Sequence, residues 1–102
     1  MSAQENQIGA YIRYQVLDEQ DQPKDISGAN TKELILRKPN GSVLTTPAGF
    51  MTNGSDGILQ YITVDGDLIP PGVYQIQAHL IMPGFNGKTE IRLFDVLKNV
   101  DS

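Results

Sequence analysis

The chain has one histidine, His79, which is the residue on which nucleophilic catalysis would depend. A Ser-His-Asp set needs an imidazole to take the proton of a serine hydroxyl. The five serines, however, lie at the chain ends or in segments with turn composition, and none stands in a Gly-x-Ser-x-Gly motif. His79 falls on the polar phase of an alternating segment, so we interpret it as a surface histidine of a β-sheet.

Acidic residues beside glycines offer a second kind of chemistry, the binding of a metal ion by oxygen ligands. They occur in the triplets Asp65–Asp67 and Ser55–Gly57. Aspartate and glycine are also the residues that turns favour, and the spacing of an EF-hand loop is absent. The chain has no cysteine, which excludes disulfides and thiolate metal sites. We therefore expect no metal site and no cofactor.

Charge and composition narrow the function further. Eight basic and twelve acidic residues give a net charge of −4, which disfavours nucleic acid because phosphate binding needs concentrated positive charge. No apolar run approaches the ~20 residues that span a bilayer, and the first residues lack the pattern of a signal peptide. We expect synthesis in a cytoplasm, no membrane partner and no enzymatic activity, although a pair of carboxylates brought together by the fold stays open.

The elements that position these residues are predicted to be β-strands, because apolar and polar residues alternate along most of the chain. No segment shows the apolar spacing of a helix. Six or seven short strands between turn signals are typical of a β-sandwich or a small barrel. Residues 1–7 predict a flexible N-terminal arm, residues 8–98 a single domain and residues 99–102 a C-terminal tail.

Two further segments predict specific local structures. The turn residues Pro39, Asn40 and Gly41 lie between two apolar stretches and predict a β-hairpin. Near the C-terminus Ile91 and Leu93 share one phase of a strand, whereas residues 94 and 96 are apolar on the other phase. This double pattern indicates either a β-bulge or a strand covered on both sides.

The segment DLIPPGVYQIQAHL, residues 67–80, places Gly72 two residues before Tyr74 at the start of an alternating strand. This arrangement is typical of the tyrosine corner of Ig-like sandwiches, in which the tyrosine hydroxyl bonds to upstream backbone. Ile76 then stands where antibody domains carry a cysteine. We predict that Tyr74 and Gly72 are structural residues.

Two aromatic residues are candidates for contact with a partner. Phe85 stands at an expected hairpin tip, where Asn86 and Gly87 would suffice for the turn, and Tyr11 lies on the outward phase of the first strand. Aromatic side chains are enriched at the centres of protein interfaces. The alternative for Phe85 is that it folds back onto the edge of the domain.

The order of these motifs resembles the Ig-like module of phage tail and baseplate proteins, in particular the N-terminal domain of baseplate upper proteins. The similar features are "DISGA" before a strand, a strand running into "KPNG", then "DGILQY", and finally "DLIPPGVY" leading into a tyrosine strand. The resemblance covers about residues 8–97. It implies an Ig-like β-sandwich of about seven antiparallel strands.

The resemblance also implies a function. Such a module is a bacteriophage virion structural protein that docks onto other virion proteins in the tail, baseplate or neck, as a homo-oligomer or in many copies. Localisation to the virion follows from it. The alternatives are a capsid decoration protein on the phage head and a module that binds glycans of a host surface. No catalytic residue is carried over from the family.

Overall fold

The computed structural model describes residues 2–98, and this part of the chain is all-β without a helix. The alternation of apolar and polar residues produces strands because successive side chains of a strand point to opposite faces. The strands are β1 (Ser2–Gln4), β2 (Tyr11–Gln15), β3 (Thr31–Arg37), β4 (Val43–Pro47), β5 (Gly49–Phe50), β6 (Ile58–Ile62), β7 (Gly72–Met82), β8 (Phe85–Lys88) and β9 (Arg92–Leu97).

The described strands form two curled sheets. The larger sheet, here called sheet A, has the order β1-β9-β7-β3-β4, and β8 also pairs with β7. The smaller one, sheet B, has the order β2-β6-β5. Strand β7 is 11 residues long, so it pairs with β3 along one side and with β9 and then β8 along the other. All pairs are antiparallel except β1 with β9, which is parallel.

One hydrophobic core unites the two sheets. Every second residue of β7 from Tyr74 to Leu80 is buried, and the residues between them face outward. Strand β2 follows the same alternation from the opposite sheet. The buried apolar side chains are Ala10, Ile12, Tyr14, Val16, Ile26, Leu34, Leu36, Leu59, Leu68, Tyr74, Ile76, Ala78, Leu80, Phe94 and Val96.

Residues 2–6 lie within the segment, residues 1–7, for which a flexible N-terminal arm is predicted. Residues 2–4 form β1 against β9, and the Glu5 and Asn6 N–H groups donate to the carbonyl oxygens of Leu97 and Leu68 at 2.7 and 2.8 Å. Backbone hydrogen bonds rather than a run of apolar side chains attach this segment, so its composition hides the strand. The expected C-terminal tail, residues 99–102, lies outside the described residues.

The strand count also differs from the seven antiparallel strands expected. Strand β1 is an addition, and it is parallel to its neighbour. Strand β8 is a second addition, because the segment interpreted as a turn is a hairpin in which Met82 lies opposite Phe85. The predicted hairpin around Asn40 agrees with the pairing of β3 and β4.

Three backbone segments meet at Gly57, beyond the end of β2. The Val16 N–H donates to the Gly57 carbonyl oxygen at 2.8 Å, and the Lys24 N–H donates to the Val16 carbonyl oxygen at 2.9 Å. Gly57 has a φ of +75°, and a Cβ atom there would lie 2.6 Å from the Val16 oxygen and 2.7 Å from the Lys24 oxygen. The junction therefore requires glycine, because both close neighbours are backbone atoms.

Candidate interaction surfaces

Tyr74 is the first residue of β7 whose side chain is buried in the core, and it has no exposed surface. Its hydroxyl donates to the carbonyl oxygen of Pro70 at 2.7 Å, four residues upstream. Its ring packs against Phe94, with the ring centroids 5.3 Å apart. This is the contact that a tyrosine corner requires, and it ties the chain before β7 to the core.

Gly72 precedes this tyrosine with a φ of +138°. A Cβ atom at this position would lie 2.7 Å from Cγ of Pro39, in the turn between β3 and β4. The conformation and the close approach both favour glycine, because a side chain would displace the neighbouring turn. Gly72 and Tyr74 therefore have structural roles at one end of sheet A.

Because the Tyr74 hydroxyl is buried, the stability of the fold depends on pH in the alkaline range. Burial raises the pKa of the Tyr74 hydroxyl to about 12, and the Asp67 carboxylate acts in the same direction. Burial also raises the pKa values of Tyr14 and Tyr61. The folded protein thus resists the ionisation that the unfolded chain undergoes near pH 10.

We expect the free energy of unfolding to be constant with pH just below 10 and to fall as the pH rises from about 10 to about 12. The sign follows because only the unfolded chain releases its tyrosine protons in that interval. Denaturant titrations at a series of pH values measure this slope, and Tyr74→Phe should make it shallower. An unchanged slope in the variant would contradict the burial of the hydroxyl.

His79 lies on the outer face of sheet A, as its phase in the sequence predicts. Its Nδ1 atom is 3.0 Å from Oε1 of Glu33, the residue opposite it on β3. Both side chains are half-buried. The pair joins two neighbouring strands, and no serine hydroxyl within the described part of the chain bonds to this imidazole.

The aspartate side chains of the acidic turns accept hydrogen bonds from groups that are close to them in the sequence. Asp67 Oδ2 accepts hydrogen bonds from the Tyr61 hydroxyl at 2.6 Å and from the Val64 N–H at 2.9 Å. Asp56 accepts from the Ile58 N–H at 3.0 Å in the same manner. Among residues 2–98 there is no group of three or more His, Cys, Asp or Glu side chains arranged to hold a metal ion. These contacts give Asp56 and Asp67 roles in their turns.

Phe85 begins β8 and lines a cleft of about 510 Å³ between the end of β2, the turn that follows it and the β8–β9 connection. Its ring is half-buried against the core, so the side chain does fold back onto the domain edge. The ammonium group of Lys24 lies 6.0 Å from the ring centroid. The cleft is within the volume range of ligand sites, about 300–1,000 Å³.

Part of the cleft lining is a cluster of interacting side chains, here called the Tyr14 hub, which consists of Tyr14, Thr89, Glu90 and Arg92. The Tyr14 hydroxyl donates to the Glu90 carbonyl oxygen and accepts from Thr89 Oγ1 at 2.8 Å. The guanidinium group of Arg92 lies 4.3 Å from the Tyr14 ring centroid and also contacts the Glu90 carboxylate at 3.1 Å. The Tyr14 hub links β2 of sheet B to the β8–β9 connection of sheet A.

Tyr11 occupies a separate surface, the outer face of sheet B. It is 58% exposed and lies opposite Ile62, which is 49% exposed. The guanidinium group of Arg13 lies 5.2 Å from the Tyr11 ring centroid and donates to Gln60 Oε1 at 2.9 Å. Tyr11 does not line the cleft that contains Phe85, so the two predicted partner contacts belong to different surfaces.

A third surface, which was not predicted as a site from the sequence, is a groove of about 430 Å³ on the outer face of sheet A. Its apolar lining comes from Ile35, Val43 and Ile91, and its cationic lining from Arg37 and Lys88. In the sequence, the only indication of this groove was that the last strand has apolar residues on both of its phases. Residues 94 and 96 face the core, whereas Leu93 and Ile91 are 64% and 55% exposed beside the groove.

No model of a known protein family and no curated protein matches the chain. Within the described residues there is no helix of the length and apolar character needed to cross a membrane.

Proposed function

We propose that the chain is a non-enzymatic bacteriophage virion structural protein, an Ig-like β-sandwich that docks onto other virion proteins in the tail, baseplate or neck. The Ig-like assignment is supported by two sheets that share one core and by the hydroxyl of Tyr74 bonded to the Pro70 carbonyl oxygen. The resemblance of the motif order to phage modules supports the place of action.

The main support for the docking role is that apolar residues occupy outward-facing positions of the strands. Antiparallel sheets that face water alternate apolar and polar residues. Here Tyr11 and Ile62 form an exposed pair on sheet B, and Leu93 and Val73 are 64% and 52% exposed on neighbouring strands of sheet A. Grouped apolar surface of this kind is typical of protein interaction sites.

The cleft supports a second candidate function, the binding of glycans on a host surface. It combines the Phe85 ring with carboxylate and amide side chains, including Glu19 and Gln20. A glycan array with saturable binding that is lost in Phe85→Ala would favour this candidate. The same surfaces serve a capsid decoration protein, so heads and tails are tested separately.

The proposal is tested by incubating the purified chain with separately purified phage heads, tails and baseplates that lack it. We expect saturable binding to one of them, weakened about tenfold by Tyr11→Ala or Phe85→Ala, because aromatic side chains at interface centres contribute much of the binding energy. Ile69→Ala is the control, because Ile69 is exposed but lies outside both surfaces. Absence of binding to all three structures would overturn the proposal.

A further inference from the structure

The groove on sheet A is built by two cross-strand rows of outward-facing residues. In the first row Ile35 lies between Thr45 of β4 and Gln77 of β7. In the second row Arg37 lies between Val43 and Gln75. Apolar side chains thus lie beside a central guanidinium group, and no carboxylate lines the groove.

The two cations of the groove have no partner within residues 2–98. Five of the eight Lys and Arg side chains have a contact with a polar or aromatic group: Arg13, Lys24, Lys32, Lys38 and Arg92. Among the described residues, the side chains of Arg37, Lys88 and Lys98 have no hydrogen bond, ion pair or ring contact. Two of these three line the groove, in a protein whose net charge is −4.

The turn after β2, residues 18–21, carries negative charge, which is complementary to the cations of the groove. Asp18 Oδ1 accepts hydrogen bonds from the Gln20 and Gln22 N–H groups at 2.9 and 3.0 Å, which fixes the turn. The side chains of Glu19 and Asp21 are exposed on it, and neither has a partner within the described chain. Both line the cleft that contains Phe85, and Lys88 of the same copy also lines it without a hydrogen bond or ion pair to either carboxylate.

This pair of carboxylates is distinctive among the acidic residues. Across residues 2–98 the other carboxylates without a partner are those of Asp65 and Asp95, which lie far apart in the sequence. Glu19 and Asp21 therefore present two unpaired charges from one ordered turn, as Arg37 and Lys88 present two from one groove. An ordered turn loses little conformational freedom when it binds.

We propose that the 18–21 turn of one copy of this chain docks into the sheet A groove of a second copy. The carboxylates of Glu19 and Asp21 meet Arg37 and Lys88, and the apolar side chains of the groove cover the turn. The turn and the groove are unlike surfaces that adjoin at Lys88, which lines both the groove and the cleft beside the turn. Because the contact joins unlike surfaces, it repeats from copy to copy and builds a ring or an open row. The inference rests on the proposed docking function and identifies one partner as the chain itself.

Charge reversal tests the contact on the intact protein. Sedimentation velocity at low ionic strength should show wild-type self-association that rises with concentration and weakens with added salt. The groove variant Arg37→Glu/Lys88→Glu and the turn variant Glu19→Lys/Asp21→Lys should each associate at least about tenfold more weakly. A mixture of the two variants should associate again, because each then offers the charge that the other lacks.

Matched controls separate this contact from a general effect of charge. Lys98→Glu removes an unpaired cation outside the groove, and Asp65→Lys removes an unpaired carboxylate outside the turn, so both should associate like the wild type. Circular dichroism and thermal unfolding check that every variant is folded. A wild-type chain that stays monomeric up to about 1 mM, or a mixture that stays dissociated, overturns the inference. Binding of the chain to phage particles is measured separately and is unaffected by either outcome.

Discussion

Replacing Tyr74 by alanine is expected to lower the free energy of unfolding by about 4 kcal/mol. The side chain is fully buried and packs against Phe94, so its removal leaves a cavity where the two sheets share their core. The hydrogen bond to the Pro70 carbonyl oxygen is lost at the same time. Denaturant unfolding of the variant measures the loss, which is a large fraction of the about 5–15 kcal/mol that stabilises an ordinary domain.

Tyr74→Phe is the matched variant, because it keeps the ring and removes only the hydroxyl. We expect it to cost about 1 kcal/mol, the usual value of a buried hydrogen bond. Neither self-association nor binding to particles should change, since Tyr74 lies in the core rather than on a docking surface. A phenylalanine variant with unchanged thermal stability would contradict the tyrosine corner.

Gly57→Ala is expected to lower the free energy of unfolding by about 3 kcal/mol. The left-handed conformation of Gly57 accounts for about 1–2 kcal/mol of this loss. The rest arises because the new Cβ atom would lie 2.6 and 2.7 Å from the carbonyl oxygens of Val16 and Lys24, which must then move apart. The same movement would open one wall of the cleft, since both residues line it.

Gly41→Ala provides the control for this prediction. Gly41 also has a left-handed φ, +89°, but nothing lies within 4 Å of an added Cβ atom. The difference between the two variants in denaturant unfolding therefore isolates the close approach at the junction. Equal losses of stability in both variants would show that conformation alone requires glycine at Gly57.

Much of the fold is predictable where local chemistry and long-range pairing agree. Strand β7 alternates apolar and polar residues along most of its length, and its buried residues are those on the phase of Tyr74. At the hairpin between β3 and β4, Gly41 has the positive φ that its turn needs, and Asn40 Oδ1 accepts from the Ser42 N–H at 3.0 Å. Such features depend on residues close in sequence, so a single sequence contains them.

Features that depend on partners distant in sequence were not predicted. Strand β1 is recognisable only from its pairing with β9, about ninety residues away. The apolar phase that contains Ile91 and Leu93 suggested a bulge or a strand covered on both sides, but the structure exposes it beside the groove. Likewise, Arg37 and Lys88 are brought to one surface only through the registers of β3, β7 and β8.

The most direct test of the proposed function is the protein composition and structure of purified phage particles, because the proposal expects a phage genome to carry this sequence. Mass spectrometry should find the chain in the particles, and electron cryomicroscopy should show its two-sheet domain in many copies at the tail, baseplate or neck. Density at the head surface would instead favour the decoration role. Particles that form and infect without the chain, and that contain none of it, would contradict the proposal.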